Sequence, residues 1–188
     1  MAFQFKIQLK DISTSLVWRR VLVPENFTFD RLHRVIQAAF GWGNYHLYKF
    51  SPRGRRSKPV IALSSEFDYE KPDMDACETT LDEVFTTEKQ TYEYVYDFGD
   101  NWQHKIKLEK IIDDKSLEKA SCIGGKGACP PEDCGGTWGY EEFLHTISDP
   151  NDPDYEGMRE WASLDAGETW EEVAGFKLEE ANKAVQEV

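Results

Sequence analysis

The run TYEYVYDFGDNWQHKIKLEKII, residues 91–112, decides the fold. Two alternating stretches, Thr91–Phe98 and Trp102–Ile112, flank Gly99-Asp100-Asn101, residue types that accept the tight backbone of a hairpin turn. In the second stretch Trp102, His104, Ile106 and Leu108 share one face, while Lys105, Lys107 and Glu109 share the other. That period of two marks a strand with one face buried. An isolated hairpin is barely stable in water, so further strands must lie beside it.

The N-terminal region supplies them. Phe3-Gln4-Phe5-Lys6-Ile7-Gln8-Leu9 alternates strictly, and Leu16–Val23 makes the second arm of a hairpin that Pro24 ends. On that arm Leu16, Trp18, Arg20 and Leu22 form one face and Val17, Arg19, Val21 and Val23 the other. Each face carries one arginine, and the one turned inward needs a partner. A carboxylate of the Asp97–Asp100 turn is the expected one. Thr28 is a helix N-cap ahead of Phe29, Leu32, Ile36, Ala39 and Phe40, with Gly41 as the stop, which places a helix over 29–40. His46–Phe50 and Val60–Leu63 read as short strands, and the capping box Thr80–Glu83 opens a short helix through Phe85. Residues 113–137 are rich in Gly, Pro and charge and are expected to be irregular; helical pieces follow at 140–147, 156–161, 169–173 and 178–188. The pattern predicts a single α+β domain over 1–188. Its mixed or mainly antiparallel sheet is built from the N-terminal hairpin, strand 46–50 and hairpin 91–112, with helix 29–40 and the C-terminal helices packed on it.

Composition narrows the function classes. The 188 residues suit one core, and 13% aromatics exclude a disordered chain. No apolar run approaches the ~18 residues that cross a bilayer, so neither a membrane partner nor a signal segment is expected and a cytoplasmic location is. The net charge of −13 is uneven: residues 1–64 hold eleven Lys and Arg against three acids, a net +8, which leaves −21 for the rest. Arg31, Arg34, Arg53, Arg55, Arg56 and Lys58 are therefore candidate contacts for weak nucleic-acid binding through residues 1–64. The alternative is that the basic and acidic parts pair within the chain, since a strongly acidic body repels a polyanion within the ~8–10 Å screening length.

The densest chemistry lies between Cys122 and Cys134, where three cysteines at 122, 129 and 134 share a loop with Gly124, Gly125, Gly127, Pro130 and Pro131. Three thiolates with His104, or with His145, form a candidate zinc site, provided the chain turns back at Gly124–Gly127. Against it, only the 129/134 pair reaches the long edge of zinc-ligand spacing, and a packed loop of reduced thiols is the alternative. Gly124-Gly125-Lys126-Gly127 lacks the Ser or Thr of a phosphate loop, and Asp97-Phe98-Gly99 stands without the other kinase segments. At the hairpin corner Asp97, Asp100 and Asn101 precede His104, whose polar ring on an apolar face needs a carboxylate, a metal or a backbone carbonyl. The candidate binding residues are Arg19, Arg20, Asp97, Asp100, His104, Glu132 and Asp133. Hydrolase signatures are absent from the sequence, so no catalytic residue is designated.

Taken together, Ile7-Gln8-Leu9-Lys10, Trp18-Arg19-Arg20, Leu32-His33, Gly41-Trp42, His46-Leu47, Tyr96-Asp97-Phe98-Gly99-Asp100 and Cys129-Pro130-Pro131-Glu132-Asp133-Cys134 carry a resemblance across nearly the whole chain. The sequence resembles the plasmid "open reading frame three"-like family. The resemblance implies plasmid or mobile-element biology and no particular reaction, and it singles out His33, His46 and His104 among the histidines. Two positions depart from it: Ser15-Leu16 stands where many relatives have two prolines, and Tyr48 where many have a histidine, which weakens a metal pair made of residues 46 and 48. The leading expectation is a non-enzymatic binding module. The alternative is a metal-dependent hydrolase or nuclease using Asp97, Asp100 and His104 with the Cys122–Cys134 segment. A third is a small-ligand binder walled by Trp42, Tyr94, Trp102 and Trp138.

Overall fold

The two hairpins bond to each other through their first and last strands. In the computed structural model, which describes residues 1–53, 57–64 and 71–188, β1 (Ala2–Leu9) pairs antiparallel with β2 (Trp18–Pro24), setting Ile7 opposite Arg19. The other edge of β1 meets the second long hairpin, whose later strand covers Trp102–Ile112 and sets Ile106 opposite Ile7. Chain order then runs α1 (Phe29–Phe40), β3 (Tyr48–Ser51), β4 (Ile61–Ala62), β5 (Met74–Asp75), α2 (Leu81–Val84), β6 (Thr91–Tyr96), β7 (Trp102–Ile112) and β8 (Ser121–Lys126). Four helices close it: α3 (Gly136–Thr146), α4 (Tyr155–Trp161), α5 (Trp170–Ala174) and α6 (Leu178–Gln186). The eight strands form one sheet in the order β5-β4-β3-β6-β7-β1-β2-β8, antiparallel except for the β4–β5 pair.

Alternation decides which face is dry. Phe3, Phe5, Ile7, Val21, Val23, Ile106 and Leu108 are buried on one side, and α1 lays Phe29, Leu32, Val35, Ile36 and Phe40 against them. The other face carries Gln4, Lys6, Arg20 and Lys107, with Arg20 bonded in a fork to Glu109 (2.6 and 3.1 Å) and stacked on Trp18. A sheet wet on one side and helix-covered on the other is the α+β arrangement that the alternation predicts. The Thr28 cap receives the Arg31 N–H, and Gly41 ends α1 at φ 89°. Among the described residues no helix is long and apolar enough to cross a membrane.

The region expected to be irregular holds a strand. β8 pairs with β2 because Gly124 and Gly125 leave room for rings: a Cβ on Gly125 would stand 2.7 Å from Phe176. These glycines keep a packed edge strand thin, and only Gly127 turns the chain, at φ 81°.

Arg19 is the inward-facing arginine, and it meets no carboxylate. Its Nε donates to Ala39 O (2.8 Å), Nη1 to Trp18 O and Lys126 O (both 2.9 Å) and Nη2 to Gly127 O (3.2 Å). The rings of Phe40 and Phe176 lie over the guanidinium at 4.9 and 4.7 Å. The expected pairing of Arg19 or Arg20 with the Asp97–Asp100 turn is thus replaced by carbonyls for the one and Glu109 for the other. Strand register explains it: both arginines sit beside β1 and β8, whereas the turn lies at the far side of β7.

Several of the basic residues have partners within the chain. Arg34 pairs with Asp30 (2.8 Å), Lys58 with Asp73 (2.8 Å), and Arg31 stacks on Phe27 and donates to Val188 O (3.3 Å). The Arg53 N–H donates to Ser57 Oγ. Arg55 and Arg56 lie outside the described residues.

Two histidines are buried and neutral. His104 stands edge-on to Phe40 and Trp42, and its Nδ1 reaches Trp102 O (3.2 Å); burial lowers its pKa to about 3. His33 stacks on Tyr48 at 3.7 Å and bonds Tyr94 OH (2.8 Å) and Asn44 Oδ1 (2.6 Å), and burial lowers its pKa to about 4. An unfolded histidine titrates near 6.5, so below that pH the unfolded chain binds protons that the folded chain refuses. Stability is full above about pH 7 and is lost as pH falls from 6.5 toward 4. Urea melts at pH 7 and pH 6 are expected to differ by about 1–1.5 kcal/mol, the sum for two such groups. His104→Leu is expected to shrink the difference by about half.

Candidate functional site

Three loops meet at one end of the sheet, and short polar contacts hold each of them there. The first is 41–47, between α1 and β3. Asn44 takes a left-handed backbone at φ 58°, bonds His33 through its side chain, and donates its N–H to Gln37 Oε1 (3.1 Å). The second is the corner of the β6–β7 hairpin, where Asp97 and Asn101 are left-handed at φ 53° and 58°. Asp97 Oδ1 accepts the Gly99 N–H (2.8 Å), and the Asp97 N–H donates to Leu47 O (2.9 Å), which ties the corner to the first loop. The third runs from Gly127 to Gly135. Pro130 O accepts the Trp42 indole N–H (3.0 Å), and the Gly135 N–H donates to Asp100 Oδ2 (3.1 Å). Gly136 at φ 72° completes the docking, since a Cβ there would stand 2.5 Å from Asp100 O.

His46 lies where the loops meet. Its Nε2 is sealed from solvent and makes no hydrogen bond. Around that one atom stand Asp133 Oδ1 at 3.2 Å, Asp97 Oδ2 at 3.7 Å and Glu132 Oε2 at 3.8 Å. Glu132 is fixed by its other oxygen, which accepts the Gly43 N–H (2.8 Å) and the Tyr96 hydroxyl (3.1 Å). Its Oε2 is also buried without a partner. Burial raises the Tyr96 phenol well above its ordinary pKa, so it remains a donor to that carboxylate. Asp97 is buried, while the Asp133 side chain is 70% exposed and leaves the cluster open on one side. The donor atoms of His46, Asp97 and Asp133 all lie within 4.8 Å of one another, and no other such group of metal-ligating side chains exists among the described residues.

Such a donor set could hold a divalent cation. Three carboxylates facing one imidazole leave negative charge that a single imidazolium would not balance. One nitrogen and two or three oxygens, about 2.0–2.2 Å from an ion, suit a first-row divalent metal such as zinc or manganese.

The structure thus joins Asp97, Glu132 and Asp133, which the sequence reading named, with His46, which the resemblance marked but the candidate set left out. Asp100 sits beside the cluster and holds the start of α3. His104 does not take part: it lies in the core with aromatic neighbours, because residue 104 faces the same side as Ile106. The proposed Cys122, Cys129, Cys134 and His104 set is not brought together. Cys122 is on β8 with Sγ near Gly124 O, Cys129 is buried beside Arg19, and Cys134 Sγ lies near Gly136 O. Burial pushes the Cys134 thiol up to about 12 and raises those of Cys122 and Cys129. Tyr48 bonds Asp30 (2.8 Å) and stacks on His33, away from His46. Of the suggested aromatic walls, Trp42, Tyr94 and Trp102 are core residues, while Trp138 is exposed.

A family model described as plasmid pRiA4b ORF-3-like protein matches residues 1–181. The chain belongs to that family. Among relatives of this plasmid pRiA4b ORF-3-like chain, the uncharacterized protein y4hQ of Sinorhizobium fredii (strain NBRC 101917 / NGR234) is 36% identical over 174 residues, which cover 92% of this chain and 85% of that protein. A solved structure, that of a protein of unknown function, MM3350 from Methanosarcina mazei Go1, superposes with a TM-score of 0.73 at 37% identity, covering 85% of this chain and 88% of that one. The ORF-3-like fold described above is therefore shared with that structure. The His46 cluster is built from segments that carry the family resemblance: His46-Leu47, Tyr96–Asp100 and Cys129–Cys134.

Proposed function

We propose that this chain binds one divalent first-row transition metal at His46, Asp97 and Asp133, with Glu132 as a fourth donor, and uses it to activate a bound water for hydrolysis. The observation that carries the reading is His46 Nε2, a buried ring nitrogen with no hydrogen bond and three carboxylate oxygens within 3.8 Å. A buried polar atom left without a partner costs about 1–3 kcal/mol, and a metal ion is the partner that all four groups share. A metal held by these residues, with Asp133 exposed to solvent, would supply a bound water of lowered pKa. This is the metal-dependent alternative of the sequence reading with its ligands reassigned from His104 and the cysteines to His46.

The binding-module reading keeps less support, because its basic residues Arg31, Arg34 and Lys58 engage partners within the chain. Equilibrium dialysis of the protein against Zn²⁺ and Mn²⁺, followed by elemental analysis, tests the proposal. About one metal per chain is expected, released by chelator without unfolding. Retention of no metal at concentrations that load a reference carboxylate–histidine protein would sink it.

A further inference from the structure

Asp133 also lines a groove of about 550 Å³ between α3 and α4. Two indoles flank it, Trp138 at 73% exposure and Trp161 at 51%, and Trp161 is braced edge-on by Phe143 at 5.8 Å. Its charged lining is acidic throughout: Asp133, Glu142 and Asp154, with no lysine, arginine or histidine. Two largely exposed indoles lining one groove are unusual on a surface that meets only water. A second oddity concerns Gly157, in the middle of α4. Glycine weakens a helix interior, and where it is kept, close packing is the usual reason. Here a Cβ would meet nothing within 4 Å, so the fold itself does not ask for glycine at this position. The missing side chain leaves the groove open.

We propose that this groove receives an arginine side chain presented by a basic segment of a partner protein. A guanidinium is planar and weakly hydrated, stacks on indole faces, and pairs in a fork with carboxylates, so one side chain satisfies both halves of the lining. Charge complementarity selects this occupant. An anionic nucleic acid or phospholipid surface meets three carboxylates here, and a neutral apolar segment buries them unpaired. The groove shares Asp133 with the proposed metal centre, so its test is run in chelator, where Asp133 carries no metal and the two readings succeed or fail separately.

The measurement is fluorescence anisotropy of a labelled Ser-Gly-Arg repeat peptide, titrated with the full chain in about 0.15 M salt, where attraction to distant surface charge is screened. Matched peptides carry citrulline, the neutral isostere, or lysine in place of arginine. Saturable binding of the arginine peptide is expected, weakened about tenfold or more by citrulline and several-fold by lysine. Gly157→Leu, which fills the groove, and Trp138→Ala are each expected to weaken it about tenfold, and Gly157→Leu should melt no lower than the parent chain. Any of three results overturns the proposal: no saturable binding, undiminished binding to a folded Gly157→Leu chain, or equal binding of the citrulline peptide. Equal binding of the lysine peptide overturns the choice of arginine.

Discussion

Arg19→Met is expected to lower folding stability by about 3–5 kcal/mol, because its bonds to buried backbone carbonyls are lost and each acceptor left unsatisfied costs about 1–3 kcal/mol. The guanidinium of Arg19 is the hub that closes three elements: the end of α1 through Ala39 O, its own strand through Trp18 O, and the end of β8 with the turn after it through Lys126 O and Gly127 O. Methionine fills much of the volume between Phe40 and Phe176 but strands those carbonyls without donors. Burial lowers the Arg19 pKa, the direction expected for a cation with no carboxylate against it. Arg19→Lys should recover only part of the loss, because an ammonium cannot reproduce the planar fork. Arg20→Met is the control. Its ion pair with Glu109 lies on the wet face, with about a third of the Arg20 side chain exposed, and a change of no more than about 1 kcal/mol is expected. Urea melts of the three variants check the contrast, and equal losses from Arg19→Met and Arg20→Met would contradict it.

His46→Ala and Asp97→Asn are each expected to weaken Zn²⁺ binding more than about 100-fold, or about 2.7 kcal/mol. Losing an outer hydrogen-bond partner of a ligand alone costs 10–100-fold, and these residues are the ligands themselves. Asp97→Asn is the sharper variant. An asparagine keeps the acceptor that holds the Gly99 N–H and tolerates the left-handed backbone at φ 53°, so the hairpin corner survives while the charge at Oδ2 is lost. Cys122→Ser and Cys134→Ser are expected to change the affinity by less than about twofold, since neither thiol belongs to the cluster. Calorimetric titration of the four variants decides between the two ligand sets. A large loss in the cysteine variants with none at His46 would move the site to the Cys122–Cys134 segment.

Much of the fold was legible because one sheet face is dry. Period-two alternation in 3–9 and 102–108 and the stripe over 29–40 report directly which side chains are buried, and the structure buries those residues. β8 was illegible for the opposite reason. Its glycines signal a loop by composition, and the cause of their presence, the Phe176 ring against Gly125, lies 51 positions away in the chain. The orientation of Arg19 and Arg20 had the same limit, since either face of an alternating strand can turn inward until its neighbours are known. At the site, Asp97, Glu132 and Asp133 stood out as clustered acids in two motifs. His46 did not, because it opens a short predicted strand away from both acidic motifs, whereas His104 lies close to Asp97 and Asp100 in the sequence. The signal available for His46 was its place in a family segment. The cysteines misled through spacing alone: Cys122 sits within a strand, and the three thiols are not gathered into one metal-ligating group.

His46, Asp97 and Asp133 are proposed to hold one metal ion, and the proposal has a direct structural consequence. Its most direct test is an anomalous-scattering map from crystals of the full chain grown with Zn²⁺ and measured on both sides of the zinc absorption edge. A single strong peak is predicted about 2.0–2.2 Å from His46 Nε2 and from one oxygen each of Asp97 and Asp133, with Cys122, Cys129, Cys134 and His104 unbound. A peak on the thiols or on His104, or no peak at His46 in crystals soaked at saturating zinc, would contradict it.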